Sequence, residues 1–393
     1  MKEKLLARIR KKKEKRIARK NAHPVLFYVL SVLTFIVLVC AIYYAYAFVY
    51  RGRTENRHRS GKTSTEASVH PSTGSLKRAL WMYPSLKKEV FNVPNVSSIP
   101  NTYVLPGLDS TRTLYTKDDQ NFKLASCGAM TPQGLAVTQD HIIISAYCHT
   151  RKHNSVLYLI DKKTGDFVKE VVLQGRPHAG GIAYDPIHDM LWVATSSDGI
   201  ASIASIPMSS LLAYDLDAKE PISYLYQYPV VSLQSSSFIA YYDKCLYIGL
   251  FTNSNNGAIY RYSIMEDGSL SSVNVTTTYS RNIREIAQPE SVTLIENRIQ
   301  GLAMNDNYQF LSTSWGFLNS QIYVHSQTDD IVTTFELTNV LMKEIYPRQL
   351  EQICVEDDDL YLLFESAAYP YRYYPLPSVD YVLRVNINSL VRE

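Results

Sequence analysis

The chain has 393 residues, 46% hydrophobic and 20% charged, with 40 Lys and Arg against 37 Asp and Glu and a mean hydropathy of -0.14. With 16 Gly, 17 Pro and 30 Tyr, it is neither a mostly disordered chain, nor a collagen-like repeat, nor a disulfide-dense miniprotein. The formal charge of +3 is unevenly spread: the first 21 residues hold 11 Lys and Arg and 2 Asp and Glu, net +9, which leaves -6 for the other 372.

Residues 1–23 read as a cytoplasmic basic segment, with KKKEKR at 11–16 next to a membrane. The run can touch anionic headgroups, and it lacks the aromatic residues that stack on bases, so no nucleic-acid partner is expected. Residues 24–50, PVLFYVLSVLTFIVLVCAIYYAYAFVY, carry no charge, and at about 1.5 Å per residue they cover a hydrocarbon core of ~30 Å. They predict a transmembrane helix that makes the membrane a partner. The 11 basic residues before it outweigh Arg51, Arg53, Arg57, Arg59 and Lys62 after it, which places the N-terminus in the cytoplasm and the rest outside. Tyr43, Tyr44, Tyr46 and Tyr50 suit the outer interface. A cleaved signal peptide is the competing reading, because Ala45-Tyr46-Ala47 resembles a cleavage site; the apolar run, however, exceeds the usual h-region. Cys40 follows bulky Val39 and reads as an apolar thiol of the span.

Residues 51–100 read as an extracytoplasmic stalk: 51–79 are polar and flexible, and from about Leu80 scattered prolines predict an extended segment rather than a helix. Residues 101–393 are rich in short Val/Ile/Leu/Tyr runs between turns, an all-β pattern. Five segments start alike, with Gln133-Gly134-Leu135, Gly180-Gly181-Ile182, Ser237-Phe238-Ile239, Gln300-Gly301-Leu302 and Glu351-Gln352-Ile353. Each is followed by a polar turn and two further strands, and the starts are 47, 57, 63 and 51 residues apart. The repeat predicts a five-bladed β-propeller, with six blades as the alternative if residues 80–125 form a degenerate blade. The last repeat lacks a fourth strand, which TYVLPGL at 102–108 or NFKLASC at 121–127 could supply.

The starts TPQGLAV, HAGGIAY, IQGLAM and LEQICV resemble those of plant-type glutaminyl cyclotransferases, whose blades open with TQGL-like and GEGL-like phrases. More loosely they resemble secreted lactonase-like propellers and membrane-anchored propellers of Gram-positive bacteria. The resemblance implies a propeller over about 120–390. Where it would put a glutamate in the second blade the chain has Gly180, so no acid/base role passes to that position.

Inner strands of a propeller line its axis, so the residues that open each blade converge: Gln133, His178 with Gly180, Ser236, Ser237, Gln300 and Glu351. The ends of the second strands add Tyr147, Thr195, Ser196, Ser314, Trp315, Glu365 and Ser366. Glu351 and Glu365 are the candidates for a general acid/base pair or, with glutamine carbonyls, for a divalent cation at the axis; His178 is the candidate proton shuttle. Gln133, Ser237, Gln300, Trp315, Tyr371 and Tyr373 are candidate ligand-binding residues. The alternative for each Gln, Gly or Ser is that it lets strands crowd the axis.

Two loops add to the rim. His149–Asn154 reads as a solvated basic loop and not a metal site, and Tyr369–Pro377, with four tyrosines and three prolines, as a stiff exposed aromatic surface or a loop packed on its own blade. Glu356–Asp359 reads as a solvated turn opposite the rim. Cys127 and Cys148 are placed to be bridged across blade one, while Cys245 and Cys354 are too distant to pair. No nucleophile, P-loop or dinucleotide motif is present. Two functions follow: a cell-envelope module that recognises a glycan or peptide, or a propeller hydrolase, lyase or cyclotransferase.

Overall fold

The computed structural model describes residues 11, 23–55, 59–60, 73–91, 99–116, 121–197, 200–230, 237–276, 283–328, 340–374 and 376–391. The basic segment apart from Lys11 and His23, and also Arg57, Lys62, Ser236 and Pro375, lie outside them, as do the side chains of Tyr50, Arg51, Arg53 and Arg59. The chain divides into two units, Met1–Asn56 and Arg57–Glu393.

In the first unit one helix runs over Pro24–Glu55, and its stretch Pro24–Tyr46 is long and apolar enough to cross a membrane. Ser31 and Thr34 return their hydroxyls to the carbonyls of Phe27 and Leu30, so neither breaks the apolar surface.

In the second unit five four-stranded antiparallel sheets make five blades. Their inner strands are Met130–Val137, Ile182–Asp185, Phe238–Tyr242, Ile299–Met304 and Leu350–Glu356. Each packs against the next, and the fifth against the first, which closes the ring. Blade five takes its outer strand from the N-terminal side: Thr102–Val104 pairs with Tyr381–Asn386. Of the two segments expected to supply it, 102–108 does so. Lys123–Cys127 instead joins Thr111–Tyr115 and Arg59–Ser60 in a separate three-stranded sheet, so the described residues of 80–125 form no sixth blade.

Each interface between neighbouring blades buries its own apolar cluster. Alternation along one strand serves two of them: Ile142 and Ile144 face the cluster shared with blade five, and Ile143 the one shared with blade two. Closure between blades five and one adds polar contacts. Tyr103 Oη donates to the Lys162 carbonyl at 2.8 Å, and the Lys162 ammonium pairs with Glu356. With Asp359 held by Arg384 at 2.7 Å, the turn at 356–359 is ion-paired at both ends rather than merely solvated.

The segment expected to be extended contains a helix, Pro84–Phe91, and a second, Thr73–Ala79, precedes it within the expected flexible stretch. Proline at a first helical position loses no hydrogen bond, and Leu86, Glu89 and Val90 recur at helical spacing. Leu76, Leu80, Leu86 and Val90 pack with Phe364, Leu383 and Val385 of blade five, a reward visible only once that blade exists.

At the axis the blades approach closely. A Cβ at Gly181 would lie 2.4 Å from Ile239 N, and one at Gly134 would lie 3.0 Å from Ile182 N, so the glycines of the start motifs are steric requirements. In blade five the matching position is Gln352, and its amide fills the space the glycines clear. Gln352 Oε1 accepts from the N–H groups of Leu135 and Ile182, both at 3.1 Å. Its Nε2 donates to the carbonyls of Ile182 at 2.7 Å and Ile239 at 2.8 Å. One buried side chain thereby bonds the same backbone position in blades one, two and three. Gln352→Leu keeps the volume but strands four buried backbone groups, and by denaturant unfolding it should cost about 3–5 kcal/mol; a loss below about 1 kcal/mol would mean that strand packing alone holds the axis.

Candidate functional site

Gln352 divides the channel. On the side of the inner-strand turns lies a cavity of about 600 Å³, walled by Leu135, Ile182, Ile239, Leu302 and Ile353. The titratable candidates are not in its lining; they sit beyond Gln352, where the inner strands begin.

Irregular pairing interrupts three of the inner strands there, between Pro132 and Gly134, Ile299 and Gly301, and Leu350 and Ile353. The residues inside these bulges are Gln133, Gln300, and Glu351 with Gln352, and a bulge re-aims such a side chain out of the alternating pattern. Gln349, just before blade five, and Ala179, between His178 and Gly180, hold left-handed backbone, φ 59° and 51°.

Glu351 and Glu365, each 7% exposed, meet at the centre. They share a hydrogen bond, and burial, then the neighbouring Glu365 charge, hold Glu351 well above the carboxylate range. Burial also pushes Glu365 up, to about 7, against hydrogen bonds from Glu351, Gln133 and Tyr371 that favour its ionised form. Gln133 Nε2 reaches Glu365 Oε2 at 2.9 Å, and the Glu365 backbone N–H is fixed by the Gln349 carbonyl at 3.0 Å. Buried Arg348, which donates to the Gln349 side chain, supplies the positive charge that Glu365 feels.

An aromatic group adjoins the pair. The His178 ring stacks on Tyr147 with centroids 4.2 Å apart, and Tyr147 Oη meets His149 Nδ1 at 3.0 Å. His149 in turn lies edge-on to Tyr369 at 5.5 Å and Tyr371 at 6.3 Å, and Arg151 stands over Tyr147. His178 keeps access to solvent while crowded by protein, which together with Arg151 and His149 lowers its pKa to about 4. It is therefore neutral at physiological pH and less suited to shuttle protons than its type suggests.

Gln133, Glu351, Glu365 and Tyr371 thus come together, with Tyr147 and His178 beside them. The other candidates do not join them. Ser237 Oγ accepts from Phe251 N–H at 3.1 Å within its own blade, Gln300 sits half-buried in its bulge, and exposed Trp315 is engaged by Arg298 and by Asn253 at 3.1 Å. Tyr373 packs on the cluster between blades five and one, and the tyrosine tract is folded inward, with Tyr369 fully buried and Tyr371, Tyr373 and Tyr374 half-buried. The loop 149–154 is not simply solvated either, since His153 and Asn154 are buried. Around the two axial carboxyls no third Asp, Glu, His or Cys side chain gathers among the described residues, Gln133 turns its N–H₂ to Glu365, and both acceptor positions of Gln352 are used, so the glutamine carbonyls expected to help hold a divalent cation are not free to do so.

No family model matches the chain, and no curated protein does. Among solved structures it is similar to a glutaminyl cyclase of Myxococcus xanthus (13% identity, TM-score 0.38, 66% of this chain and 90% of that one). It is also similar to the WD40 β-propeller domain of Doa1 (13%, 0.33, 60% and 80%) and to Sqt1 of Saccharomyces cerevisiae (9%, 0.31, 60% and 80%). The likeness is one of architecture, and the five blades rest on the chain's own strand pairing.

The raised carboxyls make stability fall with pH. A carboxyl whose folded pKa lies above its unfolded value binds more protons when folded, so its contribution is complete below about 4.3 and is lost as pH rises through the folded value. Between pH 5 and 8 the protein should lose roughly 2–3 kcal/mol from Glu365 alone, and more from Glu351, which keeps its proton in the folded state over that range. Glu351→Gln, which keeps a donor towards Glu365, should flatten that dependence in urea unfolding at the two pH values; an unchanged slope would mean the pair is not the cause.

Proposed function

We propose that the chain is a membrane-anchored, extracytoplasmic propeller of the cell envelope whose axial mouth takes a peptide and acts on it by acid–base chemistry. The uncharged helix and the basic excess before it support the anchor and its direction. The observation that carries the activity is the hydrogen-bonded pair Glu351 and Glu365, two carboxyls both raised by burial and in contact with each other. In such a pair one carboxyl acts as acid while the other acts as base. Glu365 accepts a proton from an attacking water or amine, and Glu351 delivers its own proton to the amide.

Contact between the two carboxyls also narrows the substrate. Glycoside hydrolases keep their carboxyl groups about 5 Å or more apart, whereas carboxyls sharing a proton resemble the pairs that act on amides. The rings of Tyr147, His178 and His149 suit a peptide backbone and its side chains.

A second reading, a binding or scaffold module for a glycan or peptide, is favoured by the near-complete hydrogen bonding of the pair, which also stiffens a recognition surface. Incubation of the detergent-solubilised full chain with a mixed peptide library, followed by mass spectrometry, separates the two. The expected result is turnover that rises with pH towards neutrality and falls at least 100-fold in Glu365→Gln with peptide retention kept. Retention without turnover in the native chain favours the second reading, and absence of both sinks the mouth as a ligand site.

A further inference from the structure

Away from the axial pair, two cysteines and a histidine meet beneath the mouth. Cys127 ends the last strand of the three-stranded sheet, and Cys148 ends the second strand of blade one, immediately before His149. Their sulfurs are 3.4 Å apart, and each residue is 1% exposed. Thr150 Oγ1 at 3.2 Å and His153 Nδ1 at 3.5 Å surround Cys148 Sγ, and the Ala129 N–H donates to Cys127 Sγ at 3.4 Å.

Cys127, Cys148 and His153 bring three metal-ligating atoms within 4.8 Å of one another, so a soft metal ion competes with a bond between the sulfurs. The donor set favours the bond. A structural zinc ion takes four ligands, and among the described residues no fourth Cys, His or carboxylate belongs to this group; burial of all three residues also withholds the water that completes an open site. The sulfurs need to close only from 3.4 Å to the ~2.05 Å of a disulfide.

We propose that Cys127 and Cys148 are joined by a disulfide in the mature chain, a covalent staple between the three-stranded sheet and blade one; this rests on the extracytoplasmic placement argued above. The oxidant is a second disulfide, that of an envelope thiol oxidoreductase or a small-molecule disulfide. One cysteine thiolate attacks it, forming a mixed disulfide and releasing one partner thiolate. The other cysteine thiolate then attacks the sulfur of the first and releases the second partner thiolate. The two cysteines lose two protons and two electrons, and the oxidant leaves as two thiols. Because both sulfurs are enclosed in the folded blade, the exchange belongs to folding, before blade one closes.

The staple sets the strand end that carries Tyr147 and His149, and so steadies the aromatic wall beside the carboxyl pair. Cys245 and Cys354, in blades three and five, remain thiols.

The test is intact-mass and peptide mapping of the full chain, extracted from membranes and denatured in excess alkylating agent. Without reductant, a linked Cys127–Cys148 peptide pair 2 Da below the thiol mass is expected, with Cys245 and Cys354 alkylated. After reduction all are alkylated, and Cys148→Ser should lower the Tm of the chain by about 5 °C or more. Alkylation of both Cys127 and Cys148 without reductant, or stoichiometric zinc in the native protein, overturns the proposal. Refolding of the reduced chain in a glutathione redox buffer then separates the causes of failure: a bridge that forms only there counts against the compartment, and none at all counts against the geometry.

Discussion

Five inner strands approach one axis so closely that a single amide bonds three of them. That constraint orders the rest of the molecule. It demands glycine where blade one faces Ile182 and where blade two faces Ile239, and it admits one larger side chain, Gln352, whose two donors and two acceptor positions are all used. It also separates a cavity on the turn side, lined by both aliphatic and polar residues, from the carboxyl cluster where the strands begin.

The chemistry of the polar end follows from the same crowding. Bulges at Gln133 and at Glu351 with Gln352 release these side chains from the alternating pattern of a buried strand. Once Glu351 and Glu365 are both withdrawn from water, two charges cannot be held side by side, and one proton stays between them. Arg348, Gln133 and Tyr371 then decide which oxygen carries the remaining charge. The raised carboxyls of the site are thus a consequence of how tightly the blades close.

Much of the fold was legible because it is repeated. The QGL-like starts, polar turns and strand triplets recur five times, and a repeat is readable even when each copy is degenerate. Closure was half legible: a missing fourth strand could be seen, but the choice between 102–108 and 121–127 depended on which segment lies beside Tyr381–Asn386. The helices at 73–79 and 84–91 were hidden because their apolar residues are few and are rewarded only by blade five. In the site, Glu351, Glu365 and Gln133 were found from their place in the repeat, and Tyr371 from the tyrosine-rich tract that contains it. Arg348 was missed because it precedes the motif, and Gln352 because an amide beside a glutamate looks like ordinary polar variation. Ser237, Gln300 and Trp315 also lie at blade starts or second-strand ends and Tyr373 in the tyrosine tract, yet Ser237 is engaged within its own blade, Trp315 by Arg298 and by Asn253 of blade three, Gln300 stays in its bulge, and Tyr373 packs between blades five and one.

By itself the sequence determined what depends on local pattern: an uncharged run long enough to cross a membrane, the asymmetric charge around it, and an all-β repeat with five recognisable copies. These are legible because hydropathy, charge and strand period act through near neighbours. Only the tertiary structure decided which strand closes the ring, that Gln352 plugs the axis, and that two glutamates fourteen positions apart share a proton. Each depends on the distance between residues remote in the chain, and in a closed ring that distance is set by all five blades together.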